Sequence, residues 1–201
     1  MRKIRTKPEV FIIESLDPDD EGNGRFEGSI ISRILKLHGK SPKYRYVRTR
    51  EEFEEAVDQF GRSKYRYLHI SAHADSEGMC TTNQEEIDFD ELAGILNPHL
   101  SGCRLFLSAC SMVHEDLAKE IIPASGCYSV IGPNEDILFT NAAILWSALY
   151  HLMFTHNTNA MKHDELKKHL QNTSRMFEVE ISYFSKSKKR ERGYTRDILK
   201  K

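Results

Sequence analysis

At 201 residues the chain fits one domain with length enough to bury a full core. A formal net charge of -1 excludes any global pull toward nucleic acid or acidic membranes. The basic start, Met1 to Pro8, is followed only by Val10-Phe11-Ile12-Ile13, too short for a signal-peptide core. No membrane-length apolar segment occurs either, so a cytoplasmic protein with no membrane partner is expected.

Short β-rich runs alternate with helix-patterned segments, the pattern of a doubly wound, mostly parallel α/β sheet with helices on both faces. The first strand reads Val10 to Ile13, and an acidic, glycine-containing loop, Asp17 to Gly24, follows it. A helix is predicted from Glu27 to Leu37, a second strand from Tyr44 to Val47, and a helix capped by Thr49 that ends near Gly61. Tyr67 to Ser71 is the third strand. A polar loop, Asp75 to Glu86, leads to a helix from Phe89 to Leu96. Arg104 to Ser108 is the fourth strand, followed by a helix from Val113 to Ile121, and Tyr128 to Ile131 is the fifth strand. The most apolar stretch, Leu138 to Phe154, reads as a long helix whose stripe of Leu145, Trp146, Leu149, Leu152 and Met153 packs on the sheet. A polar helix, His163 to Thr173, precedes a last strand, Phe177 to Phe184. The domain is expected to span residues 1–185, with 186–201 a basic tail. That tail contains no interleaved aromatic run, so it reads as solvated and not as a nucleic-acid partner's seat.

The four cysteines, Cys80, Cys103, Cys110 and Cys127, form no C-x-x-C pair, so neither structural zinc nor a disulfide framework is expected. Gly22-Asn23-Gly24 lacks the G-x-x-x-x-G-K pattern of a phosphate loop. A receiver-type reading of the acidic loop wants an aspartate after strand three and a lysine after strand five. His73 and Pro133-Asn134 stand there instead.

Ligands of doubly wound sheets bind beyond the carboxyl ends of the strands. That edge holds His73 after strand three and Cys110 after strand four. If those strands are neighbours, imidazole and thiol leave the sheet together, as nucleophilic thiol chemistry requires, since an adjacent imidazolium favours the reactive thiolate. A helix beginning at Val113 would add its positive end. Cys103 and Cys127 precede apolar strands and read as structural. Cys80 is a loop cysteine and the rival nucleophile. His69 reads as a packed, hydrogen-bonded histidine inside its strand, and His114 as helix surface.

The segments Tyr67-Leu68-His69-Ile70-Ser71-Ala72-His73 and Leu107-Ser108-Ala109-Cys110-Ser111 resemble the catalytic motifs of the caspase-like peptidases. The closest branch is the CHAT group, related to caspases and separases, and the order of elements is similar through Phe184. The resemblance implies a cysteine endopeptidase with His73 and Cys110 as the catalytic pair and no cofactor or metal. It also implies an oxyanion site made by the backbone N–H groups of Ala74 and Cys110. The family's usual residue after the histidine is glycine; Ala74 fits there if its φ is negative. No third catalytic carboxylate is implied. The partners expected are a protein or peptide substrate and a regulatory protein acting in trans. A silent signalling or scaffold domain of the same fold is the alternative.

The residues themselves indicate a substrate preference. The carboxyl edge is acidic, with Asp17, Asp75 and Asp136 the candidate substrate-binding side chains. A buried aspartate side chain of a substrate would demand converging arginines. This edge instead favours Lys or Arg at the cleaved position, with Asp136 the leading determinant.

Overall fold

The β-branched and aromatic runs become the strands of one mostly parallel sheet, and the computed structural model describes residues 6–200. Strands β1 (Lys7–Ser15), β2 (Lys43–Tyr46), β3 (Tyr65–Ala74), β6 (Arg104–Ser108) and β7 (Ser129–Pro133) run parallel. Strands β8 (Ile181–Lys186) and β9 (Tyr194–Leu199) join antiparallel, giving the order β2-β1-β3-β6-β7-β8-β9. Strands three and four of the sequence reading are β3 and β6, and they are neighbours.

Successive residues of a strand point to opposite faces, so each strand feeds two cores. On one face Phe11, Ile13, Leu68, Ile70, Leu105, Leu107 and Val130 meet helices α3 (Arg50–Ser63), α4 (Phe89–Leu96) and α5 (Glu115–Ser125). On the other, Val10, Ile12, Tyr67, Phe106 and Ile131 meet α2 (Glu27–Leu37), α6 (Phe139–His156) and α7 (His163–Phe177). Helix α6 buries Leu145, Trp146, Leu149 and Met153 there, as its stripe predicts. Side-chain caps fix the helix starts: Thr49 accepts from the Glu52 N–H at 3.2 Å, and Asp88 and Glu91 form a reciprocal capping box on α4. Among the described residues no helix is long and apolar enough to cross a membrane.

Three expectations change. The loop from Asp75 to Glu86 holds two short strands, β4 (Gly78–Cys80) and β5 (Glu86–Asp88), with β4 paired to the end of β3. The last predicted strand starts late. Phe177 closes α7, and Glu178 takes a left-handed φ of 54° that turns the chain before Ile181. The expected tail is not free: Lys186 ends β8, and Tyr194–Leu199 forms β9 and buries Tyr194 and Leu199, while Lys201 lies outside the described residues. The charge run 188–192 is the connection of the β8–β9 hairpin, closed by Gly193 at φ 81°. The short helix α1 (Pro18–Gly22) also forms inside the acidic loop after β1.

Candidate active site

Ser71 of β3 faces Ser108 of β6 in the last parallel rung. His73 lies two residues further along β3, and Cys110 two residues past Ser108, in the turn that follows β6. The register sets the two predicted residues at neighbouring strand ends, on strands about 4.8 Å apart.

His73 is 53% exposed, and its Nε2 lies 2.9 Å from Oδ2 of Asp20, which is only 14% exposed. The other Asp20 oxygen accepts from Arg25 Nη1 at 2.6 Å. Partial burial pushes the Asp20 carboxyl up, but the hydrogen bonds and charges of Arg25 and His73 outweigh it and hold the group below its ordinary range. The carboxylate is thus ionised and fixed by a guanidinium, and Nδ1 is the ring nitrogen left over for Cys110. Sequence reasoning had Asp20 only as one carboxylate of the acidic loop after β1 and gave it no partner. Its one signal was position, in a loop beyond the carboxyl end of β1.

Cys110 is half-buried, and its thiol points to the carbonyl of Ile137 at 3.7 Å. The next residue, Ser111, takes φ 50°, a left-handed conformation unusual for a side chain other than glycine. Two bonds hold that turn: Ser111 Oγ donates to Asp136 Oδ1 at 2.9 Å, and its N–H donates to the Glu135 carbonyl at 3.3 Å. The segment after β7 is therefore folded against the cysteine. A side chain at Gly132 would collide with the Leu107 carbonyl and Val113, so glycine lets β7 approach that closely.

The two backbone N–H groups expected at an oxyanion site are those of Ala74 and Cys110. Asp75 N–H donates to Gly78 across the β3–β4 turn at 3.1 Å, so by alternation Ala74 N–H points the opposite way, to the side on which β6 has ended. Ala74 keeps a negative φ, so its methyl group adds no strain. The Cys110 N–H donates to no other group among the described residues. The helix dipole expected behind Cys110 is weaker than anticipated. Val113 is consumed as core, α5 begins at Glu115, and Glu115 and Asp116 occupy its first turn. His114 is that helix's N-cap, and its Nε2 lies 3.0 Å from the Ser76 carbonyl, so it ties α5 to the hairpin turn and is not free helix surface.

Cys80 sits directly across from His73 in the antiparallel β3–β4 pair. Burial, reinforced by the charges of Glu86, Asp17 and Asp75, pushes its thiol up and disfavours a thiolate. Cys103 and Cys127 are buried, and burial drives them to about 12 and about 11. Both behave as structural side chains.

A groove of about 330 Å³ opens beside His73, lined among others by Asp75, Glu77, Glu86 and Asp88. Of the three nominated carboxylates, Asp75 lines it, while also accepting from the N–H groups of Glu77 and Gly78 at 2.7 and 3.1 Å. Asp136 does not line it and is engaged with Ser111, next to Cys110. Asp17 does not line it either; it is the N-cap of α1, accepting from Asp19 N–H at 2.8 Å. Glu77 counts among the edge carboxylates in the sequence, whereas Glu86 and Asp88 reach the groove through the β4–β5 hairpin, which the sequence reading lacks. The arginines near this edge are engaged: Arg25 by Asp20, Arg48 by Glu21, and Arg50 by Glu54 and Glu91.

Beneath the pair lies a buried polar column. His69 joins Glu27 at 3.1 Å through Nε2 and Tyr150 at 3.1 Å through Nδ1, while Ser108 Oγ donates to the second Glu27 oxygen at 2.9 Å. Next to it Glu14 accepts from Gly28 N–H at 2.8 Å and Tyr44 OH at 2.6 Å. Burial pushes the Glu14 carboxyl up to about 7, against those two hydrogen bonds and with help from the charge of Glu27. Among the described residues no three His, Cys, Asp or Glu side chains cluster to hold a metal ion. No family model matches the chain, and no curated protein matches it.

Proposed function

We propose that the chain is a caspase-like cysteine endopeptidase, of the CHAT kind, that cleaves after Lys or Arg. The observation that supports this most is the shared register of His73 and Cys110 beyond the last β3–β6 rung. In the reaction the Cys110 thiol gives its proton to His73, and the sulfur bonds to the peptide carbonyl carbon. The oxygen takes the negative charge, facing the N–H groups of Ala74 and Cys110. As the C–N bond breaks, His73 returns the proton to the leaving amine, and a thioester remains. Water then gives a proton to His73 and displaces the sulfur, which regains its proton. Asp20 stabilises the imidazolium that forms twice in this cycle. The first step requires the thiol to turn from the Ile137 carbonyl toward Nδ1 of His73.

The charge of the edge supports the basic preference. The groove beside His73 is lined by four carboxylates, and Asp136 is held by Ser111, the residue after Cys110. A panel of fluorogenic peptides differing at the cleaved position tests this. Arg and Lys substrates are expected to exceed Asp by at least about a hundredfold in kcat/KM, an energy of roughly 2.7 kcal/mol. Asp136→Asn is expected to narrow that ratio. Cys110→Ala and His73→Ala abolish cleavage, and Cys80→Ala leaves it. Full activity in Cys110→Ala sinks the mechanism; preference for Asp sinks the charge argument alone.

A silent signalling domain is the second reading, favoured by one observation: thiol and imidazole each hold another partner, Ile137 and Asp20. Iodoacetamide labelling at mildly acidic pH separates the two. A competent pair directs label to Cys110 over Cys80, and a silent one shows no such bias.

A further inference from the structure

At the amino end of the parallel strands, about 20 Å along β6 from Cys110, the fold assembles cations with no carboxylate beside them. Arg104 opens β6 half-buried. Its guanidinium donates to Ser129 Oγ at 2.9 Å, Tyr183 OH at 3.3 Å and the Met161 carbonyl at 3.2 Å, all neutral oxygens. Among the described residues no carboxylate lies within 4.0 Å of Arg104 or Lys186. A half-buried cation satisfied only by neutral groups retains its demand for a counter-charge. The depression around it, about 470 Å³, is lined by Arg104, Tyr128, His163, Lys186 and the hydroxyl-bearing Ser185 and Thr195.

The β8–β9 hairpin extends this patch. Lys188, Lys189 and Arg190 are exposed and form no ion pair among the described residues, whereas Arg192 is already held by Glu115 at 2.8 Å. Glu191 is the single carboxylate of the connection. The sequence shows no aromatic residue inside the charge run, which is why it reads as solvent-facing. Folding supplies one from elsewhere. Tyr128 is 48% exposed in the same depression, with the Arg104 guanidinium 6.0 Å from its ring centre.

We propose that this face binds single-stranded nucleic acid, with phosphates on Arg104, Lys186, Lys188, Lys189 and Arg190 and a base stacked on Tyr128. Exposed aromatic platforms beside a cationic track are what sequence-tolerant single-strand binding requires. The site is local, since the net charge of the chain is -1 and gives no general affinity for polyanions. It is independent of the chemistry at the opposite edge.

Fluorescence anisotropy of the full chain with labelled oligouridine and oligothymidine of about 12 nucleotides tests it. Five phosphate contacts predict a log–log salt slope near -3.5, so affinity should fall about a hundredfold between 50 and 200 mM salt. The triple variant Lys188→Glu, Lys189→Glu, Arg190→Glu should flatten that slope by about 2. Tyr128→Ala should weaken binding about tenfold with the slope unchanged. RNA and DNA arms show whether the sugar is read, and either binding supports the proposal. It is overturned by no binding at 50 mM salt, by equal binding of a duplex of the same length, by Tyr128→Ala binding as wild type, or by ATP displacing the strand completely, which would make this a mononucleotide pocket.

Discussion

The two faces of the central sheet are built from the same strands and differ in kind. Facing α3, α4 and α5, the strands present Ile13, Ile70 and Leu107, then Ala72, Ala74 and Ala109, with no charge. Facing α2 and α6, three strands turn from apolar to polar toward their carboxyl ends: Val10, Ile12, Glu14 in β1; Tyr67, His69, Ser71, His73 in β3; and, past Arg104, Phe106 and Ser108 in β6. The first face only closes the core. The second raises a hydrogen-bonded column from the core toward His73, and its buried members Glu14, Glu27, His69 and Ser108 each meet a specific partner. Stability of one face should follow volume; stability of the other should follow hydrogen-bond partners and pH.

The largest expected effect sharpens that contrast. Glu27→Ala strips a partner from both His69 and Ser108 in a dry interior, and should cost about 3–5 kcal/mol in urea unfolding. Glu27→Gln keeps the volume and an acceptor and should recover much of the loss. A value for Glu27→Ala within about 1 kcal/mol of wild type would mean the column is ornamental.

Next comes pH. The folded chain keeps the Glu14 proton up to about 7, whereas the unfolded chain releases it near the ordinary value of 4.5. Between those values the unfolded state binds fewer protons, so this group's contribution to stability falls as pH rises, by about 3 kcal/mol across the window. Glu14→Gln should remove that fall. The check is the difference between wild-type and variant unfolding free energies at pH 4.5 and 7; a constant difference would place Glu14 outside the titrating set.

The smallest effect lies at the top of the column. Asp20→Asn preserves the shape of the contact to His73 but not its charge, and should lower kcat about a hundredfold, roughly 2.7 kcal/mol, with KM little changed. Unchanged kcat, or a rise in KM alone, would reduce Asp20 to a surface ion pair with Arg25.

Much of this was legible in the chain. Strands β1, β3, β6 and β7 announce themselves by β-branched and aromatic runs, and the rule of carboxyl ends leads to His73 and Cys110. Asp20 was not legible, because its meaning depends on a histidine 53 residues away. Glu27 enters the sequence reading only as the first residue of a helix, and nothing local tells that its side chain turns inward. β9 was hidden by the charges preceding it and by Arg196 and Asp197 within it, whereas only Tyr194 and Leu199 report its burial.

Those same charges have a consequence for the chain in a crowded cell. The sheet has two lateral margins, β2 and β9, whose outer backbone groups could template a further strand. At β2 the exposed side chains are Lys43 and Arg45; at β9 they are Arg196, 4.0 Å from Glu115, and Ile198, while Asp197 pairs with Lys167 at 2.7 Å. Two copies meeting β2 to β2 would bring cation against cation, so that margin resists lateral growth of the sheet, whereas β9, with its charges paired and Ile198 exposed, has no such guard.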